Sequence, residues 1–176
     1  NVLDDLDGFG VIAEIRNEWQ SVVGYSFYVS YQGPIYDGRD RTKGKVRVDI
    51  SMRREDTDTR RMLVTSDYDD IRPFVLTAIS PEHLLAEKVR AFLVRSKARD
   101  VFDIWLLINQ GVSVDRMLIE KKLALYEIPL TKQNLNEALD KAEADWGRDL
   151  RPLLPQLVSW EDAESQIESF LRMLIA

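Results

Sequence analysis

The sequence contains no cysteine and a single histidine, His83. Those two shortages exclude disulfides, thiolate metal sites, cysteine nucleophiles and any triad or metal cluster built from several histidines of one chain. A metal could be held only by carboxylates, and hard oxygen ligands suit magnesium or manganese. Apolar runs are short: stretches such as 104–108 and 171–175 fall far below the ~20 residues that cross a bilayer, so no membrane partner is expected. No signal peptide is expected, no low-complexity tract appears in these residues, and with cysteine lacking too, a cytoplasmic location is expected. The first residue is Asn1 rather than methionine, from which a fragment of a longer chain is expected.

What is there is an ordinary globular composition. Hydrophobic residues make up 45% of 176 positions and charged residues 31%, interleaved throughout, which provides for one core or two small abutting subdomains. A net charge of −6 argues against nucleic-acid binding over the whole surface. A local basic site is still open, because Arg39, Arg41, Lys43, Lys45 and Arg47 cluster with Asp40 as the one acid among them.

Two textures meet near residue 80. Residues 11–16 alternate apolar and polar types, 25–31 are rich in aromatic and β-branched side chains, and 45–52 alternate with period two. Three strands of one antiparallel or mixed sheet are expected there, with a long turn-rich link over 32–44 and one or two short strands at 62–65 and 74–79. Ser80-Pro81-Glu82 is a helix start, since serine caps free amides and proline is tolerated in the first turn. The spacing predicts a helix over 81–96 with Leu85, Val89 and Phe92 on its core face. Further helices are expected over 99–110, 114–126, 131–146 and 160–174, with a break across 147–155 where Pro152 and Pro155 remove amide donors. The fold class is therefore α+β, a partial mixed sheet over 1–79 followed by a helical subdomain over 80–176.

Chemistry concentrates in two places. Alternation along 45–52 puts Lys45, Arg47, Asp49 and Ser51 on one face and Val46, Val48 and Ile50 on the other. That polar face could hold a metal through Asp49 and a phosphate through Arg47 or Lys45, or it could be a solvated strand with an ion pair. In the helical region Lys88 and Arg95 are seven residues apart and share a face, while Arg99, Asp100 and Asp103 cluster on the following turn, with Arg99 and Asp103 a favourable pair four apart. A lysine there could neutralise a polyphosphate with the acids orienting it, or the group could be ion pairs pinning the turn.

The run Glu87-Lys88, then Arg95-Ser96-Lys97-Ala98-Arg99-Asp100-Val101-Phe102-Asp103-Ile104-Trp105, resembles the signature of the AbiEii/AbiGii toxin family, part of the DNA polymerase beta superfamily of nucleotidyltransferases. The resemblance implies transfer of a nucleotidyl group from an NTP to a hydroxyl of a tRNA or protein acceptor, assisted by Mg2+ or Mn2+. It also implies a toxin–antitoxin or phage-defence role with an antitoxin partner. In it Asp49 matches the third metal-site carboxylate, Lys88 the lysine that contacts the nucleotide, and Asp100 or Asp103 the late acidic motif; with the basic residues of the strand face and the helical cluster added, the expected set is Lys88, Asp100 and Asp103 as catalytic, Lys45, Arg47, Arg95 and Arg99 as nucleotide-binding, and Asp49 as the metal ligand. One family feature is missing: no Gly-Gly or Gly-Ser motif with a following pair of carboxylates precedes Asp49. Asp5-Leu6-Asp7 has the letters, but residues 2–6 read as the tail of a helix and 9–16 as the strand after it. A two-metal clamp needs about three carboxylates, so this chain alone is expected to transfer little or nothing. The rival expectation is a degenerate, non-catalytic binding module on the same scaffold.

Overall fold

The computed structural model describes residues 2–53, 57–113 and 115–175. The chain forms two compact units, residues 1–56 and 57–176.

In the first unit, helix α1 (Val2–Gly8) precedes strands β1 (Ala13–Gln20), β2 (Gly24–Tyr31) and β3 (Gly44–Ser51), with one 3-10 turn over Asp40–Thr42. The strands lie in the order β1-β2-β3 and every pairing is antiparallel. No crossover helix joins them, so of the antiparallel and mixed alternatives the antiparallel one is realised. The β1–β2 hairpin closes where Ser21 N–H donates to Gly24 O at 2.8 Å. A bulge shifts the register between Arg16 and Trp19, and Asn17 takes the left-handed backbone it needs (φ 53), a conformation asparagine tolerates better than most. At the opposite end Tyr31 pairs with Gly44, and its ring lies where a Cβ would stand: a methyl there would come within 2.3 Å of the phenol carbon Cζ.

The second unit opens on a two-stranded hairpin, β4 (Thr59–Val64) and β5 (Phe74–Ile79), and continues through α2 (Pro81–Arg95), α3 (Ala98–Asn109), α4 (Arg116–Ala124), α5 (Lys132–Leu150) and α6 (Trp160–Ile175). By compactness the units meet at 56/57, and α2 starts beside the change of texture near residue 80. Short contacts tie the hairpin to that helix: Ser80 N–H donates to Asp58 O at 2.9 Å, and Arg60 pairs with Glu82 at 3.1 Å.

All fully buried apolar side chains among the described residues belong to the helices. Ser80 caps α2 by accepting from His83 N–H, and Ser96 ends it in the left-handed region (φ 51), its N–H donating to Phe92 O. Between those ends Leu85, Val89 and Phe92 are completely buried, as their spacing predicts. Each contributes about 1.5–3 kcal/mol of apolar burial. On α3, Val101, Ile104 and Leu107 pack into the same core. Gly111 has the positive φ (78) expected beyond the end of α3. Asp115 caps α4; Val114, the expected first residue of that helix, lies outside the described residues. Thr131 caps α5 as expected, but α5 runs four residues past Trp146. Gly147 costs about 1 kcal/mol in a helix interior, and the burial of Trp146 and Leu150 on either side of it offsets that. The break comes at Arg151-Pro152.

Candidate functional site

The candidate residues fall into two groups, one in each unit. In the first, strand register sorts side chains into three polar rungs across β1, β2 and β3: Glu14, Ser30 and Lys45; Arg16, Tyr28 and Arg47; Trp19, Ser26 and Asp49. The opposite face carries Ile15, Val29 and Val46, with Phe27 beside Val48 and Tyr25 beside Ile50. Val46 and Ile50 on this face are exposed. The two buried side chains of the sheet, Ser26 and Ser30, are on the polar face instead.

Asp49 is on that face and open to solvent. Its Oδ1 accepts from Ser26 Oγ at 2.6 Å, from Arg47 Nε at 3.0 Å and from Arg47 Nη2 at 2.9 Å. The Ser26 hydroxyl and then the Arg47 guanidinium hold this carboxyl below the ordinary carboxylate range, so it is ionised at neutral pH. All of these contacts use Oδ1, which leaves Oδ2 as a lone anionic ligand. Magnesium binds through one or two carboxylates plus substrate phosphates and water, and Asp49 supplies one ligand of that kind. A two-metal clamp does not fit: among the described residues no three acidic or histidine side chains converge. Asp5 and Asp7 lie on helix α1, which runs two residues past the expected tail, to Gly8.

Arg47, expected to meet phosphate, is committed to Asp49, with its guanidinium 5.0 Å from the Trp19 ring centre. Lys45 has no ion pair among the described residues. Beside it Arg16 pairs with Glu14 at 2.6 Å and Asp40 at 2.9 Å, and Lys43 bridges the same two acids at 2.7 and 3.1 Å. This closed ring fastens the β2–β3 connection to β1. It also holds both carboxyls low, Glu14 through Lys43 then Arg16, and Asp40 through Arg16 then Lys43.

In the second unit, the left-handed turn at Ser96 folds α3 back beside α2 and brings together residues from both. Lys88 Nζ donates to Asp103 Oδ2 at 2.5 Å, and both groups are partly exposed. Arg95 grips Asp100 with two bonds of 2.6 Å, Nε to Oδ2 and Nη2 to Oδ1. Asp100 is 1% exposed beneath it. Asp100 is therefore a buried anchor for Arg95, while Lys88 and Asp103 form the accessible pair. Arg99 is exposed and makes no ion pair among the described residues; the expected Arg99–Asp103 pair is replaced by Lys88–Asp103, because the neighbouring helix delivers a cation to Asp103 at closer range.

Two sets of partners escaped the sequence reading. Glu87, next to Lys88, accepts from Lys122 at 2.5 Å and from Arg90 at 2.7 Å, and Arg90 stacks on Tyr126 at 4.5 Å. Burial pushes the Glu87 carboxyl up, but the Lys122 and Arg90 hydrogen bonds outweigh it and hold the group low. The one available signal was Lys122 itself, a lysine interleaved with Ile119 and Leu123 on the core side of α4. The second set is Arg16, Tyr28 and Ser30, which strand alternation places on the Lys45 side once the register is known. His83 is a capping-turn residue whose Nδ1 accepts from Asp58 N–H at 3.4 Å.

A family model described as "Nucleotidyl transferase AbiEii toxin, Type IV TA system" matches residues 2–169. No curated protein and no solved structure matches the chain. No helix among the described residues is long and apolar enough to cross a membrane.

Proposed function

Since this chain belongs to the AbiEii nucleotidyl transferase toxin family, we propose that it serves as the toxin of a toxin–antitoxin pair whose chemistry is transfer of a nucleotidyl group from an NTP to a hydroxyl of an RNA or protein acceptor, with little or no transfer expected from these residues unless further metal-binding carboxylates are supplied. The observation that carries this reading is the Lys88–Asp103 pair, an accessible cation oriented by its own carboxylate inside the stretch that bears the family signature. Lys88 offers its ammonium to the nucleotide's phosphates, and Asp103 fixes where that ammonium stands. Asp100 holds Arg95, one edge of whose guanidinium still faces solvent, and Arg99 adds a second exposed cation on the same turn. In the first unit Asp49 offers Oδ2 to a divalent cation, magnesium or manganese, and Lys45 offers charge to phosphate. The bound cation would supply charge neutralisation at a phosphate held by the first unit.

Transfer of labelled nucleotide from each NTP to tRNA and to protein, together with growth arrest on expression, tests this reading. In a protein supplied with those carboxylates that transfers label, loss of label and arrest in Lys88→Ala, Asp103→Asn and Asp49→Asn, each verified as folded, supports it. Arrest that persists in all three removes these residues from the mechanism. A second reading, a non-catalytic binding module, draws on the single carboxylate of the sheet face; it is favoured by NTP binding without transfer and without arrest.

A further inference from the structure

Ser30 is 2% exposed, and its hydroxyl has no hydrogen-bond partner. A buried hydroxyl without a partner is uncommon, because it loses water and gains nothing. Ser30 lines a cavity of about 360 Å3 shared with Arg16, Asn17, Tyr28 and Lys45. At ~30 Å3 per water this holds roughly ten waters, ample for a phosphate group. Lys45 is the rung neighbour of Ser30 across β2–β3 and has no anionic partner among the described residues. Arg16 spends two donors on Glu14 and Asp40, and a guanidinium has five. The Glu14–Arg16–Asp40–Lys43 ring is internally neutral, so Lys45 sets the sign of the cavity.

We propose that this cavity is a binding site for the terminal phosphates of a nucleotide, with Lys45 supplying charge, Ser30 donating its hydroxyl proton and Arg16 presenting its unused N–H groups. The site is separate from Asp49, which is two rungs away along β3. Choosing a nucleotide as the owner of the phosphate rests on the function proposed above. An anion here completes the hydrogen bonding of Ser30, which explains why a residue that destabilises the empty sheet occupies this rung.

Calorimetric titration of the full chain with sodium pyrophosphate, without metal and at low salt, tests the proposal. One site is expected, weakened about tenfold in Lys45→Ala and about threefold in Ser30→Ala. Removing an unsatisfied hydroxyl should also raise the unliganded Tm of Ser30→Ala by about 2–4 °C, whereas a hydroxyl that only packs would leave or lower it. No pyrophosphate binding, binding untouched by both substitutions, or occupation by short single-stranded RNA alone overturns the proposal. Pyrophosphate binding with these losses, alongside magnesium-nucleotide binding that ignores Asp49→Asn, leaves the cavity standing and sinks the Asp49 assignment, so the two failures are distinguishable.

Discussion

Replacing Arg95 by alanine removes both hydrogen-bond donors from a carboxylate that is 1% exposed. Stripping one partner from a buried ion pair costs about 3–5 kcal/mol, because the survivor is left charged and unpaired. Two features reduce that here. The Arg95 side chain is 58% exposed, so water enters the space it vacates. Asp100 also sits in the first turn of α3, where the helix amides favour negative charge. A loss of about 2–3 kcal/mol is expected, which for a chain of this size lowers Tm by roughly 4–12 °C. Asp100→Asn should cost less, about 1–2 kcal/mol, because it leaves Arg95 in solvent and keeps an oxygen that accepts. The decisive variant carries both changes, measured by thermal and urea unfolding. If an unpaired buried charge causes the loss, Arg95→Ala with Asp100→Asn is more stable than Arg95→Ala alone. A double variant weaker than that single one, or an Arg95→Ala change within about 0.5 kcal/mol of the parent, refutes the reasoning.

Two carboxylates of the helical unit should titrate with opposite signs. Glu87 is held below its unfolded value, so its stabilisation is present above about pH 4.3 and is lost as pH falls through the folded value; Glu87→Gln should lower Tm at pH 7, with the gap closing below about pH 4. Glu164 is pushed up by burial and then by Glu143 and Glu168, so its penalty is full above the folded value and vanishes below about pH 4.3; Glu164→Gln should raise Tm at pH 7 and make no difference in acid. Gly44→Ala should displace the Tyr31 ring and cost about 1–3 kcal/mol in urea unfolding, while Gly111→Ala, which meets nothing within 4 Å but keeps a positive φ, should cost only the backbone strain.

Much of the helical unit was legible because its signals are local. Ser80-Pro81 starts α2, the Leu85–Val89–Phe92 spacing names its core face, and Thr131 starts α5. The end of α5 was not legible: Gly147 reads as a break, and only the burial of Leu150 shows why the helix continues. The first three strands were legible as one sheet, but the partners of the last two were not. Nothing in 59–64 or 74–79 says that these strands pair with each other and not with β1–β3, since pairing is decided by contacts distant in sequence. The same holds at the candidate site. Alternation put Lys45 and Asp49 on one face, yet which cation each acid takes depends on the helix turn: Asp103 takes Lys88 rather than Arg99, and Asp100 is sealed under Arg95. Ser30 was invisible as a functional candidate, since an unpartnered hydroxyl is a property of packing and not of the residue letter.

The assignment of nucleotide chemistry to this chain is tested most directly by calorimetry with each NTP, with and without magnesium, on the parent and on Asp49→Asn. Nucleotide affinity that rises with magnesium in the parent, and loses that rise in a folded Asp49→Asn variant, is the result expected. Magnesium-dependent affinity identical in the two proteins, or no nucleotide binding by the parent under any condition, contradicts it.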